Sequence, residues 1–185
     1  MRDELTELEH CVLGVIWHNG PMTAYEVASG FSASLSPYWS GSAGAIYPLV
    51  KRLQKRGLIK AELRAWNGSR KAMLTATGDG EKALRSWLEP PLPDDAGATS
   101  FDPIRTRLFF LDVLPAARRE LFLDEAERVI AVQLQRAMEQ RAAEEARGDE
   151  LDALGSLGVV FELKARKRWI RAVREHLRKN TRRRR

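Results

Sequence analysis

The sequence has little of what several classes of protein require. It contains one cysteine, Cys11, so no internal disulfide can form and a reducing cytoplasm is the default environment. No run of about 18 apolar residues occurs, which excludes a membrane-spanning helix. The acidic N-terminus, residues 1–10, passes straight into a helical pattern and does not resemble a signal peptide. We therefore expect a cytoplasmic protein that has no contact with a membrane.

A recognisable catalytic or metal site is also absent from the sequence. The three histidines, His10, His18 and His176, and Cys11 do not have the spacing of two pairs of metal ligands. No phosphate-binding glycine motif, Ser/His/Asp set or pair of carboxylates stands out. We expect a protein that is not an enzyme and that uses no metal and no cofactor.

Positive charge is concentrated in two regions. The 185 residues carry a formal net charge of +6. Residues 164–185 hold twelve lysines and arginines against one acid, Glu175, a net charge of +11, so the rest of the chain sums to −5. Residues 51–71 nevertheless hold eight basic residues against one acid, Glu62. Such a local surplus is the electrostatic footprint of phosphate binding.

The most informative segment is residues 39–71, WSGSAGAIYPLVKRLQKRGLIKAELRAWNGSRK. A small-residue entry leads into an amphipathic helix, which Gly57 ends. A strand-like run from Leu58 to Trp66, an Asn67-Gly68 turn and a second, basic strand-like run follow. This order predicts a winged helix, in which an open helix N-terminus lies beside a cationic hairpin. Such a helix fits a DNA major groove while the hairpin holds the adjacent backbone.

Three further helices are predicted around this segment. The apolar positions of the first recur at three- and four-residue steps from about Thr6 to Trp17. Thr23, which has a glutamate three residues later, predicts a capping box at the start of the second. Residues 31–41 read as a loop, and Thr77 is expected to cap a helix after the wing.

Pro48 limits where the central helix can begin. If the cap lies near Ala45, the proline falls in the first turn, where its missing N–H would have no intrahelical acceptor. If the helix begins near Ser42, one hydrogen bond is lost and packing must offset it. The sequence leaves both starts open.

The second half of the chain is helical in pattern. Residues 90–97, PPLPDDAG, form a stiff, helix-breaking linker. A short helix and then two long helices follow, and Gly148-Asp149 turns the chain between the long ones. A helix of about 30 residues spans roughly 45 Å. So small a region cannot bury two such apolar stripes alone, and we expect a second copy of the chain to cover them, with the dimer contacts including Phe161, Trp169 and Val173.

Several segments together resemble the PadR family of bacterial transcriptional regulators. Residues 13–16 (LGVI) and 20–27 (GPMTAYEV) resemble the first two helices of that family. Residues 42–53 (SAGAIYPLVKRL), followed by 57–59 (GLI), resemble its recognition helix and the entry to its wing. The linker and the helices up to Leu177 resemble the long-tailed branch of the family, whose C-terminal helices pair two protomers.

The resemblance and the winged-helix pattern point to the same DNA-binding residues. On the central helix they are Ser42, Gly44, Tyr47 and Lys51. The resemblance implies that Tyr47 contacts the DNA backbone or a base edge; the alternative is an aromatic side chain packed in the core. On the hairpin, Arg64, Arg70 and Lys71 are expected to bind phosphates, which adds affinity without specificity; the alternative is a solvated turn.

Two further features have less specific interpretations. Trp39, Trp66 and Trp169 are candidates to line a pocket for a small-molecule effector, although aromatic residues at helical spacing more often fill cores. The terminal run Arg182 to Arg185 is expected to be mobile and to bind DNA without sequence preference.

The sequence therefore predicts a mainly α-helical protein with a small β wing and four regions. Residues 1–89 form a winged helix-turn-helix domain, 90–100 a proline-rich linker, 101–180 an antiparallel long-helix dimerisation domain and 181–185 a basic tail. The predicted function is a homodimeric transcriptional repressor that binds a palindromic double-stranded DNA operator. The alternative is a winged-helix module that scaffolds another protein and does not bind specific DNA.

Overall fold

The structure, a computed structural model, describes residues 4–34, 36–40, 43–66 and 69–183. The chain divides into two compact units, Met1–Ala98 and Thr99–Arg185. Both units are helical, and the first adds a two-stranded antiparallel sheet, so the predicted fold class is confirmed. The finer division into a linker and a basic tail stays a prediction.

The first unit is a bundle of short helices followed by a hairpin and one more helix. Its elements are α1 (Glu7–Asn19), α2 (Ala24–Ser32), α3 (Pro37–Ser40), a 3-10 turn (Ala43–Ala45), α4 (Ile46–Lys55), β1 (Ile59–Trp66), β2 (Ser69–Ala76), α5 (Gly78–Leu88) and a second 3-10 turn (Asp94–Gly97).

Threonine caps fix where three of these helices begin. Thr23 forms the predicted capping box: its hydroxyl accepts from the N–H of Glu26, whose carboxylate accepts from the N–H of Thr23. Thr6 and Glu9 form a second capping box at the start of α1. Thr77 caps α5, as the sequence predicts, by accepting from the N–H of Gly80.

The segment predicted as a loop after α2 contains a helical turn. In α3, the backbone N–H groups of Trp39 and Ser40 both donate to the carbonyl of Ser36. Proline suits the first position of such a turn, since its fixed φ is helical. The prediction of a continuous loop over residues 31–41 is therefore wrong. The ring of Trp39 packs edge-on against Phe31, with 6.0 Å between centroids, and so adds to the core.

Two contacts hold the base of the hairpin against the helices. Gly57 has a φ of +72°, a left-handed conformation that ends α4 and suits glycine. The hydroxyl of Thr77 donates to the carbonyl of Gly57 at 2.7 Å, which ties the start of α5 to the end of α4. Met22 and Leu74 exchange both backbone hydrogen bonds, so the segment before α2 pairs with β2.

The core of the first unit lies between α1, α2, α4, α5 and the base of the sheet. Each element contributes apolar residues at the spacing of its own periodicity. The buried side chains are Val12, Leu13, Ile16, Val27, Ala28, Phe31, Ile46, Leu49, Val50, Leu53, Leu58, Ile59, Leu74 and Leu84.

The second unit is built on a helical hairpin. Its elements are α6 (Pro103–Leu108), a 3-10 turn (Leu111–Val113), α7 (Ala116–Arg147) and α8 (Glu150–Arg183). Gly148, with a φ of +77°, accommodates the turn between α7 and α8 that the sequence predicts. Although both helices are long, no helix in the described part of the chain is apolar enough to cross a membrane.

The two long helices bury one stripe of each against the other. The positions follow a three- and four-residue spacing, which is typical of antiparallel helix pairs. The buried apolar residues are Leu123, Ala126, Ile130 and Ala137 on α7, and Ala153, Val160, Leu163 and Ile170 on α8. Leu154 and Phe161 of α8 lie outside this seam and are 55% and 60% exposed.

Ion pairs along the same hairpin neutralise part of the C-terminal basic region. Arg171 pairs with Glu127 at 2.9 Å, Arg174 with Asp124 at 2.8 Å and Arg178 with Glu120 at 3.0 Å. The net charge of +11 over residues 164–185 is therefore not all available to an external partner.

Candidate nucleic-acid interface

One face of α4 is turned away from the core. Ile46, Leu49, Val50 and Leu53 are buried, whereas Tyr47, Lys51 and Lys55 are exposed at four-residue intervals on another side of the helix. Tyr47 is 48% exposed, so it is not a packed core aromatic. Lys55 extends the stripe of Tyr47 and Lys51 by one turn. It is not among the residues predicted from the sequence to contact DNA, although its spacing of four residues from Lys51 indicates that it lies on the same side of the helix.

The entry to this helix is small and open. Ala45 is the N-cap, which settles the position of Pro48: it lies in the first turn of α4. Gly44 lies in the preceding 3-10 turn, and a Cβ built there would have no atom within 4 Å. The packing of this chain therefore does not require glycine at that position. Ser42, the other predicted contact at this entry, lies outside the described residues.

An ion pair between a buried carboxylate and an exposed arginine joins α4 to the start of α1. Glu9 is only 5% exposed. Its Oε1 accepts from Nε of Arg52 at 3.0 Å, and its Oε2 accepts from the N–H of Thr6 at 2.8 Å. Burial alone would raise the pKa of Glu9, but hydrogen bonds from Thr6 and Arg52 together hold the pKa below its ordinary value. This long-range contact is not visible in the sequence.

The wing carries its cations on two different faces. Residues directly opposite one another in an antiparallel pair share a face, and Arg64 lies opposite Lys71 whereas Arg70 lies opposite Ala65. Arg64 and Lys71 therefore lie side by side on one face, and Arg70 projects from the other. All three side chains are exposed. Of these three predicted phosphate-binding residues, the hairpin places only Arg64 and Lys71 on the same face.

An acid lies among these cations. Glu62, on the same face as Arg64, contacts Lys60 at 2.7 Å and Arg64 at 2.9 Å. Hydrogen bonds from Lys60 and Arg64, with the charges of the same two groups, lower the pKa of Glu62 to about 2. The carboxylate is thus ionised at neutral pH.

The predicted dimer residues lie on α8, in the second unit. Phe161 is exposed, and Trp169 and Val173 are half-buried. The hairpin has further exposed apolar residues in Leu151 and Leu154, at 77% and 55%. The hairpin therefore retains an uncovered apolar surface beside its buried seam.

The remaining candidates for chemistry have ordinary surroundings. Burial, followed by the charge of Glu7, raises the pKa of Cys11 to about 11, so its thiol stays protonated at neutral pH. Within the described residues, no group of three or more His, Cys, Asp or Glu side chains could hold a metal ion. The side chain of Trp66, a predicted pocket residue, lies outside the described set.

An exposed helix in a helix-turn-helix, followed by a cationic hairpin, defines a winged-helix protein. Residues 12–86 match the sequence profile described as the transcriptional regulator PadR-like family. The negative transcriptional regulator PadR of Bacillus subtilis (strain 168) is 28% identical over 126 residues, which are 65% of this chain and 66% of that protein. The alignment thus spans slightly less than two thirds of either chain.

Solved structures have the same fold over nearly the whole chain. Bacillus subtilis PadR in complex with operator DNA superposes with a TM-score of 0.76 at 21% identity, over 92% of this chain and 98% of that one. A PadR-like transcriptional regulator from Bacillus cereus gives a TM-score of 0.74 at 18% identity, over 96% and 99%. The winged-helix part of the chain, residues 12–86, is thus that of the PadR-like family of transcriptional regulators.

Proposed function

We propose that the chain is a cytoplasmic, homodimeric repressor that binds a palindromic operator through α4 and the wing. The observation that carries this proposal is the exposed stripe of α4, in which Tyr47 and Lys51 face away from the core beside a cationic hairpin. Repression would follow from occlusion of a promoter. The Bacillus subtilis relative is a negative regulator, which supports this direction.

The geometry suits insertion of α4 into a major groove. Ala45 and Gly44 give the N-terminal end of the helix a narrow profile, and the space around Gly44 is open. A backbone that approaches DNA closely needs such small residues. Tyr47 and Lys51 would then reach a base edge and a phosphate, while Arg64 and Lys71 on one face of the wing would bind the adjacent backbone.

A second copy of the chain would supply the two-fold symmetry of the operator. Leu151, Leu154 and Phe161 leave an apolar surface on α8 that the hairpin does not cover. We propose that α7 and α8 of two protomers pack together, with Trp169 and Val173 at the edge of the contact. Each protomer would then place α4 in one half-site.

A small-molecule effector would have space in the second unit. A cavity of about 510 Å³ is lined by apolar residues of α6 and α8, including Leu108 and Val173, and by Arg119 at its polar side. Trp39 and Trp169 do not line it. We propose this cavity as the effector site. A rise in melting temperature of the full chain with small aromatic compounds, lost when Leu108→Trp fills the cavity, is the expected result.

The competing function is a scaffold that binds another protein through the winged helix. An acidic or apolar α4 surface would favour that function. The exposed stripe instead carries Lys51 and Lys55, and eight basic residues lie between positions 51 and 71. DNA is the partner that this charge fits best.

Substitutions on α4 test the proposed DNA contact. Tyr47→Ala is expected to weaken binding to a duplex recovered from a random pool by the wild-type protein at least tenfold, because an exposed contact is lost. Lys51→Ala is expected to make the slope of log affinity against log salt shallower by about one. Fluorescence anisotropy with labelled duplex measures both.

The matched control for Lys51 is Lys82→Ala, which removes an equally charged, exposed lysine from α5. Lys82→Ala is expected to leave the affinity and the salt slope nearly unchanged. A melting temperature for Tyr47→Ala that falls enough to explain the whole loss of binding would make Tyr47 a structural residue and would contradict the proposal.

A further inference from the structure

An acid, Glu62, lies on the same face of the wing as Lys60, Arg64 and Lys71. Phosphate binding on that face would need only the cations. Because side chains of a strand alternate between faces, Lys60, Glu62 and Arg64 follow one another on the same face of β1. Oε1 of Glu62 lies 2.7 Å from Nζ of Lys60, and Oε2 accepts a hydrogen bond of 2.9 Å from the Arg64 guanidinium. One carboxylate therefore engages two cations.

These contacts contribute little to the stability of the fold. The side chains of Lys60, Glu62 and Arg64 are 58%, 43% and 49% exposed, and ion pairs exposed to this degree are weak in water. The hairpin is held at its base by other contacts, including the backbone pair between Met22 and Leu74. The charge of Glu62 thus contributes little to holding the hairpin together.

The same contacts reduce the positive charge that this face of the wing presents. Without Glu62, the face would carry Lys60, Arg64 and, opposite Arg64, Lys71. The carboxylate removes one unit of charge at the centre of this group. Since the affinity for a phosphate backbone follows the number of cations that can replace counterions, a neighbouring acid reduces it.

We propose that Glu62 lowers the affinity of the wing for DNA by competing with phosphate for Lys60 and Arg64. The proposal rests on the DNA-binding function proposed above. Because phosphate contacts carry no sequence information, a weakened wing lowers binding to all DNA and leaves the choice of operator to α4. The carboxylate thereby limits retention of the protein on DNA outside its operator.

A competing mechanism predicts that Glu62 strengthens the binding of the wing to DNA. A carboxylate that holds two flexible side chains in place can preorganise them for a ligand. In that case removal of Glu62 would weaken binding, because Lys60 and Arg64 would lose their orientation. A single substitution therefore separates the two mechanisms.

Glu62→Gln in the full chain is the test, with a duplex recovered from a random pool and an unrelated duplex of equal length. At about 0.05 M monovalent salt we expect both duplexes to bind roughly three- to tenfold more tightly, and the slope of log affinity against log salt to become steeper by about one. The ratio of the two affinities stays nearly constant. The gain disappears in a Lys60→Ala, Arg64→Ala background.

The matched control is Glu81→Gln on α5, which makes the same change in net charge. Glu81 is paired with Arg85 and is 42% exposed, against 43% for Glu62. An equal gain from Glu81→Gln would show a global charge effect and overturn the proposal, as would unchanged or weaker binding by Glu62→Gln. If the wild-type protein recovers no duplex from the pool and does not bind the unrelated duplex, the DNA-binding function is overturned, and this inference with it.

Discussion

Glu9 links the start of α1 to α4 through a single carboxylate. It is buried, it completes the cap of α1, and it binds Arg52, which lies next to the exposed Lys51. Arg52 itself remains 56% exposed. An unpaired acid would be costly at such a buried position. The hydrogen bonds from Thr6 and Arg52 therefore offset the cost of burying the Glu9 carboxylate. The cap of one helix and the placement of another are thus coupled through one carboxylate.

Glu9→Gln is expected to lower the free energy of unfolding by about 1–3 kcal/mol at pH 7, because a charged, buried hydrogen-bond acceptor is lost. The folded state lowers the pKa of Glu9, so its contribution is present above the unfolded pKa near 4.5 and is lost as pH falls through the folded pKa. The difference between wild type and variant should therefore shrink below about pH 4. Urea unfolding across pH measures it.

Glu26→Gln is the control, since Glu26 occupies the same place in the capping box of α2 but is exposed, and its carboxylate accepts hydrogen bonds from the backbone and hydroxyl of Thr23. A smaller loss is expected there. Equal losses for the two variants would show that the cap alone matters and that the contact with Arg52 does not.

Among the elements, the hairpin of α7 and α8 combines an apolar seam with a row of ion pairs. Arg174 is the centre of that row: its side chain is 18% exposed, and it faces Asp124 at 2.8 Å, Glu127 at 3.5 Å and Glu120 at 4.0 Å. Three acids on one helix face repel one another unless a cation lies between them. The arginine therefore allows α7 to present an acidic edge to α8.

Arg174→Met is expected to destabilise the full chain by about 1–3 kcal/mol, because it keeps the apolar stem and leaves three acids without their common cation. Arg128→Met removes an exposed arginine whose ion pair is with Glu125 of the same helix, and should have a much smaller effect. Urea unfolding of both variants decides the matter. If the two losses are equal, the row of ion pairs does not stabilise the hairpin.

Local signals in the sequence predicted where helices and turns lie, but they did not predict how these elements pack against one another. The capping box at Thr23, the stop at Gly57 and the turn at Gly148 are encoded within a few neighbouring residues, and the structure confirms them. The contact of Glu9 with Arg52 joins residues 43 positions apart, and no local pattern reveals it. The candidate DNA contacts on α4 follow from helical spacing, and the contacts of Glu62 with Lys60 and Arg64 follow from the alternation of side chains along β1.

The seam of the hairpin was missed for a specific physical reason. On α8 it includes the small residues Ala153 and Ser156, which allow the two helices to approach closely. Hydropathy instead follows the larger Leu154 and Phe161, one position further along.

The backbone of α8 stays helical to Arg183, so the predicted tail begins within the helix. The side chains of α8 from position 180 onwards and residues 184–185 lie outside the described set.

For the whole molecule, the uncovered apolar surface of α8 predicts self-association. Phe161→Ala is expected to raise the dimer dissociation constant at least tenfold with little effect on the folding of the chain, because its ring is 60% exposed in the single protomer and would be buried between two. Sedimentation equilibrium and circular dichroism measure the two effects.

Leu92→Ala provides the control, since it truncates a 66% exposed leucine outside the hairpin. It should leave the dimer unchanged. A wild-type chain that stays monomeric at micromolar concentration would contradict the predicted dimer, and a Phe161→Ala variant that loses helicity would assign that ring to folding.

Selection of bound sequences from a random pool of duplex DNA by the full chain tests the central claim most directly. Two α4 helices related by a two-fold axis predict an enriched inverted repeat, whose half-sites are centred about one helical turn, or roughly 34–36 Å, apart. Tyr47→Ala should fail to enrich the same repeat. A pool that shows no enriched sequence, or only an asymmetric site, would contradict the account of a symmetric, α4-reading regulator.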